Sequence, residues 1–385
     1  MERSAGKTIR NNSERSCKLL FALVLIPALF SFNGAAASGF VPEGPQQAGA
    51  SQQEKAISEA TRPFPEPTET EDEGATEPVP TGKDDCDWNL EGQPFQEQTQ
   101  EVIRSWSCHS FRWFDSWWGN SRDFNEKAVN GWVTMGASYR RYDNFDTRVR
   151  LKVRAPLPNL STRWDVLFGR ANEEAYISDT QSQDQTFYNP GVVDRGDQDS
   201  WLLGLGHRRR NLRKGWDWSV GLRLRLPPRP YAKAAYFYNT RTSENSDLRL
   251  RQTFFWRSDD GFGTTSRGDF AWGIGATDVM RWEGVATVSE DTEGARWYFG
   301  QTWYHLLGNR RAFSLLAFAR GETQDPVELK DCGLNFIWRQ PFTRDWMYIS
   351  MGPSITWPRE HPEEERELNI GFGIWLEMEF GDWRY

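Results

Sequence analysis

Long apolar runs are missing from this chain beyond its N-terminus. After about residue 37 no stretch of 18 consecutive apolar residues occurs, so nothing there can cross a bilayer as a helix. Histidine is scarce, four in 385 residues, and no Cys/His cluster with metal-ligand spacing appears. No metal or cofactor is implied. Cysteine is equally sparse, also four, too few for a disulfide framework. A basic surplus is lacking as well: the net charge of −8 argues against nucleic acid as a partner. Aromatics are what the chain does have, 14% of all residues with 20 Trp, several times what a soluble protein of this size carries.

The N-terminus reads as a secretory leader over residues 1–37. Arg10, Arg15 and Lys18 precede "LLFALVLIPALFSF", and "NGAAAS" supplies small residues for cleavage after about Ala37. Residues 38–85 form an acidic, Pro-rich linker. Between Ser51 and Asp85 ten acidic residues face three basic ones, with prolines at 63, 65, 67, 78 and 80. That composition cannot bury enough surface to offset the entropy of ordering, so disorder is expected.

Residues 86–128 differ. In "EQTQEVIRSWSCHSFRWFDSWWGN", Val102, Ile103, Trp106, Phe114, Trp117 and Trp118 fall near helical spacing, with Gly119-Asn120 as a stop. One or two short helices are expected on the periplasmic side, docked at a barrel mouth or in the membrane interface. Cys86 and Cys108 flank this element and form the candidate disulfide in an oxidising compartment. Cys17 leaves with the leader. Cys332 is then left over, on the same face as Leu334, Phe336 and Trp338, as a small apolar wall residue.

From residue 129 to 385 the period is two. In "WDWSVGLRLRL" Trp216, Trp218, Val220, Leu222 and Leu224 share one face, opposite Asp217, Ser219, Gly221, Arg223 and Arg225. About fourteen such segments recur (twelve on the strictest count), each long enough to cross a bilayer at a tilt. Their connections alternate between tight turns such as "ATD" and "QPFTR" and longer acidic ones such as "SEDTEG" and "PREHPEEERE". The expectation is an all-β fold, a transmembrane antiparallel barrel with its long loops outside the cell. In this scheme "SDDGFGTTSRGD" and the stretch from Asn172 to Ser200 are long loops, and "LPPRP" is a tight turn on the wrong rim.

The last strand resembles the C-terminal assembly signal of bacterial outer-membrane barrels. Phe372, Ile374, Leu376, Met378 and Phe380 alternate over residues 371–385, ending near an aromatic. The leader, "WFDSWW", "FDTRVRLKVRAPLP" and this strand together loosely resemble a group of uncharacterised proteobacterial outer-membrane proteins. The resemblance implies the outer membrane as location, with the N-terminal segment in the periplasm. It also implies contact with outer-membrane lipid and lipopolysaccharide, and assembly-machinery recognition of the last strand. A periplasmic partner of the N-terminal segment is a further expectation.

The polar pattern with most chemistry is "DTRVRLKVR". Arg148, Arg150, Lys152 and Arg154 alternate with Val149, Leu151 and Val153. A charge on the lipid face near the midplane costs roughly 2–4 kcal/mol, so this register is fixed and the cations face the lumen. Arg223, Arg225, Arg249, Arg251, Arg281 and Arg296 fall on the same phase of their own segments. Two functions compete. Unpaired cations would line a passive pore with a preference for anions. Cations paired with Asp165, Asp217, Asp269, Glu283, Glu377 and Glu379 would fill the lumen of a non-conducting scaffold or partner-binding barrel. An enzyme is not expected: His207 and His305 have no adjacent serine, and His109 beside Ser110 is no working nucleophile–base pair.

Overall fold

The computed structural model describes residues 129–142, 144–157, 164–180, 199–208 and 213–380, apart from the side chain of Asp345. The leader, the linker, the Trp-rich element and the Cys86–Cys108 pair lie outside the described residues. Fourteen strands occur among those described: β1 (Asn130–Arg140), β2 (Asn144–Pro156), β3 (Trp164–Asn172), β4 (Asp199–Arg208), β5 (Lys214–Arg223), β6 (Arg229–Ser243) and β7 (Ser246–Arg257), then β8 (Gly261–Ile274), β9 (Asp278–Ser289), β10 (Arg296–Gly308), β11 (Arg311–Glu322), β12 (Leu329–Phe342), β13 (Arg344–Thr356) and β14 (Asn369–Phe380). One short helix, α1 (Glu173–Ile177), follows β3.

Each strand pairs antiparallel with its sequence neighbours, and β1 pairs with β14 to close the barrel. The seam runs in unbroken register from Gly131↔Phe380 to Arg140↔Gly371. Closure leaves no strand edge, so every ladder has two partners. At a strand spacing near 4.8 Å and a tilt near 40°, fourteen strands make a wall about 28 Å across.

The alternation fixes which side chains face out. On β14 the apolar row points away from the lumen, with Phe372 52% and Ile374 42% exposed, while the intervening Glu377 is 1% exposed. Val149 on β2 and Phe254 on β7 stand outward in the same way, half exposed, opposite inward Arg150 and Thr253. A soluble protein would not leave such rows to water around a whole ring; a lipid-facing belt requires them. Aromatic clusters mark both ends of the belt. Toward the rim where the chain enters β1, Trp164 meets Trp218 edge-on at 4.7 Å and His207 stacks on Trp218 at 5.4 Å. Toward the other rim Trp256 lies 6.5 Å from Phe262. Amphipathic rings prefer these interfacial levels.

The rims differ as expected. At the rim of chain entry the connections shrink to residues 244–245, 275–277, 309–310 and 343. Gly308, Asn309 and Arg310 all have positive φ, at 79°, 50° and 58°, the left-handed backbone that a tight hairpin demands. The opposite rim carries residues 290–295, 323–328 and 357–368. One connection there is shorter than the sequence implies, and another is as short as expected. Most of "SDDGFGTTSRGD" belongs to β8, with only residues 258–260 connecting. Its Thr and Ser positions occupy both faces of the strand and so hide the period. The "LPPRP" stretch lies between β5 and β6, the connection being residues 224–228, so it is a tight connection on the long-loop rim.

Cys332 is corrected. It does lie on the outward face of β12, opposite Ala319, but it is disulfide-bonded, with its partner outside the described residues. A bridge needs only two Cα atoms within about 7 Å in space, so position along the sequence does not reveal that Cys332 is bonded.

Leu250 stands outward near the middle of β7, and Phe262 outward at the rim end of β8. Leu250→Arg is expected to destabilise the barrel by about 2–4 kcal/mol and Phe262→Arg by about 0–1 kcal/mol. Reversible urea unfolding in lipid vesicles measures both.

Candidate functional site

The inward face is where the chemistry lies, and nearly all of it is charge against charge. Arg148, Arg150, Lys152 and Arg154 all point inward from β2, opposite Gly136, Thr134, Trp132 and Asn130 of β1. Arg148 meets Asp146 at 2.5 Å. Arg150 reaches over β3 to Asp199, its Nη2 at 2.6 Å and its Nε at 2.8 Å from the two carboxylate oxygens. Arg154 pairs with Asp165 at 3.2 Å. Further round, Arg267 lies 2.9 Å from Asp269 and 3.1 Å from Glu283, and Arg281 also bonds Asp269. Arg249 is inward too, its register partner on β8 being Asp269. Near the seam Arg339 holds Glu377 at 2.8 Å, and the hydroxyl of Ser350 donates to the same carboxylate at 2.8 Å.

The most informative group is built on residues 173–180, which the sequence pattern places in a long outside loop. After β3 the chain turns into α1, whose first turn is capped by Asn172: its Oδ1 accepts from the backbone N–H of Ala175 at 2.9 Å. An Asn cap followed by Glu173 and Glu174 is favoured both by orphan N–H groups and by the helix dipole. Tyr176 and Ile177 then bury themselves among Leu167, Leu202, Tyr231 and Phe255, all inward-facing. So residues 173–180 fold into the lumen.

Charges pin this segment on several sides. Arg223 of β5 bonds Glu173 at 2.7 Å and also holds Asp259. Lys233 of β6 donates to the Tyr176 carbonyl and lies 3.0 Å from Asp179. From β7 the Arg251 guanidinium bonds Asp179 at 2.9 Å, and the Thr253 hydroxyl donates to the same oxygen at 2.9 Å. Arg251 also reaches Asp217 at 3.2 Å. Across the barrel Arg296 of β10 bonds Glu174 at 2.6 Å. In the closed strand order β3 and β10 are seven strands apart in either direction. A contact from the end of β3 to the start of β10 therefore spans the lumen.

Burial alone would raise the pKa of the Asp179 carboxyl, but Lys233 and Arg251 outweigh it and hold the group well below its ordinary 3.8. At Tyr176 burial outweighs the opposing charge of Arg154 and pushes the hydroxyl up to about 12.

Of the ten cations expected in the lumen, four join this crossing. Arg223, Arg251 and Arg296 bind it directly, and Arg225, beyond the end of β5 at the rim, comes within 3.9 Å of Glu173. Glu173, Glu174, Asp179 and Lys233 were missed. The signal for the three acids was present in "NEEAYISD", where a capping Asn, two acids and an apolar pair interrupt a polar stretch.

The sign of the Asp179 shift sets a pH window. A depressed carboxylate stabilises fully above its unfolded pKa, near 4, and loses that contribution as pH falls through its folded value. Pepsin nicking of residues 173–180 in the vesicle-bound barrel, corrected for pepsin's own activity at each pH, should be low at pH 5 and rise as the pH falls well below the ordinary carboxylate range. Asp179→Asn should remove the window, leaving the segment equally accessible throughout. At the seam, Glu377→Ala leaves Arg339 buried without its principal partner, and a loss of about 3–5 kcal/mol is expected in urea unfolding.

No protein-family model and no curated protein matches the sequence. Among solved structures the chain is similar to the KdgM porin, at 5% identity and a TM-score of 0.32 over 65% of this chain and 99% of that one. It is also similar to OprD of Pseudomonas aeruginosa, at 8% identity and a TM-score of 0.38 over 67% of this chain and 96% of that one. CdiB from Acinetobacter baumannii aligns at 7% identity and a TM-score of 0.40, over 66% and 60% of the two chains. The closed barrel stands on its own strand register and not on these likenesses.

Proposed function

We propose that this protein is a passive pore for small hydrophilic solutes, narrowed where residues 173–180 cross its lumen. The observation that carries the reading is the size of the crossing against the size of the ring. A single short helix is about 10–12 Å wide with its side chains, whereas the wall is about 28 Å across. Among the described residues such an insertion constricts a channel without filling it. The charged inward face supports the same reading, since a polar interior is what a water-filled barrel carries.

Selectivity follows from pairing. The arginine rows favour anions, but Glu173, Glu174 and Asp179 neutralise the cations they touch at the crossing, so the preference for anions is weak. The leader, the outward apolar belt and the terminal strand support a home in a bacterial outer membrane. There the N-terminal segment faces the periplasm, lipid and lipopolysaccharide surround the wall, and the assembly machinery recognises β14. A second reading, a non-conducting scaffold whose N-terminal segment holds a periplasmic partner, is favoured by the same paired charges.

Planar-bilayer recording decides between them. Steady steps with a small anion preference are expected from the refolded protein. The triple variant Glu173→Gln, Glu174→Gln, Asp179→Asn leaves Arg223, Lys233, Arg251 and Arg296 without these partners, so conductance should rise and the reversal potential should shift toward anions. Silence from both proteins would overturn the pore and leave the scaffold.

A further inference from the structure

The outer face is not uniformly open. Trp216 is 51% exposed, Leu222 40% and Phe254 52%, whereas Cys332 and Ala319 form one small closed spot and a larger closed area lies elsewhere. At the rim of chain entry, on β14 and β1 to β3, the outward positions are closed. Val153 and Ala155 of β2, and Leu157 just beyond it, are each 0% exposed, Val166 of β3 is 2% and Phe380 of β14 is 3%. The change happens within single strands. Val149, two outward steps above Val153, is 50% exposed. These residues form one cluster with Val129 and Val133, bordered by Trp164, Phe168, Leu203, Leu205 and Met378.

We infer that this patch is a docking surface on the lipid-facing wall, and that its occupant is the Trp-rich stretch 102–118 of the same chain. Three facts select that occupant. The chain arrives in β1 through Val129, itself fully buried in the cluster, so whatever precedes β1 emerges at the patch. Only ten residues, 119–128, separate the stretch from Val129, a tether of at most about 35 Å. The patch runs from β14 to β4, four strand spacings or roughly 20 Å, which a stretch of this length covers even when helical, at about 25 Å. The six residues between β2 and β3, tied at both ends to adjacent strands, and the five after β14 are too few to cover that width.

The chemistry fits the site. Trp106, Trp113, Trp117 and Trp118 combine large apolar faces with an indole N–H, the side chain that settles at the boundary between hydrocarbon and water. Docked there, the stretch replaces lipid against one sector of the wall at the periplasmic interface. This inference is independent of whether the barrel conducts.

Photo-crosslinking in the full mature chain, refolded into phosphatidylcholine–phosphatidylglycerol vesicles, tests it. A benzophenone amino acid replaces Leu157 in one protein and Phe168 in a second, in case the first disturbs packing. Leu222 carries it as the lipid-facing control. Only chains that keep the folded mobility on unheated gels are analysed by peptide mass spectrometry. Both patch positions should link to peptides from residues 102–118 and Leu222 to lipid, and Trp113→Ala, Trp117→Ala, Trp118→Ala together should lower the patch crosslink several-fold. Links from the patch to lipid alone, to residues 158–163 or 381–385 alone, or to a second chain would overturn the proposal.

Discussion

A strand in hydrocarbon cannot leave a backbone N–H or C=O unpaired, because each orphan costs several kcal/mol with no water to relieve it. Everything else in this protein depends on that constraint. It demands the β1–β14 seam, in register from Gly131↔Phe380 to Arg140↔Gly371, and so a closed ring. A closed ring with fixed register commits each side chain to lipid or lumen. The apolar row of β14 and the cations of β2 are two consequences of one geometry. Slipping β2 by one residue would put Arg148, Arg150, Lys152 and Arg154 into lipid at once.

Charges sent inward need partners of their own, and the barrel supplies them at three ranges. Neighbouring strands pair Arg154 with Asp165 and Arg267 with Glu283. Arg150 reaches Asp199 on the next strand but one. The crossing segment brings Glu173, Glu174 and Asp179 to Arg223, Arg296, Lys233 and Arg251. A charge removed from water is tolerable only when it is paired and hydrogen-bonded, and Glu377, held by Arg339 and Ser350, illustrates the point. The arginines therefore serve the architecture first. The same pairing that stabilises the wall weakens its field.

The outer face carries a second asymmetry. If the Trp-rich stretch covers the wall from β14 to β4, the N-terminal region belongs with the lipid-facing surface and not with the lumen. The barrel then has two inserted features with separate roles: α1 narrows the interior, and the stretch before β1 shields one sector of the exterior near the seam.

Much of this was legible in the residues, and the division has a physical cause. Period-two alternation with aromatic-ended rows set the fold class, the count of about fourteen strands and the facing of Arg150, Glu377 and Phe372, because side-chain direction along a strand is a local property. Where Thr and Ser stood on both faces, as in the first half of β8, the local signal failed and a strand was taken for a loop. Which cation meets which carboxylate is not local at all. The contact of Glu174 with Arg296 joins positions 122 residues apart, and it exists only because ring closure sets the end of β3 opposite the start of β10. The disulfide at Cys332 and the cover over Val153 are decided in the same way, by distances in space that sequence separation does not encode.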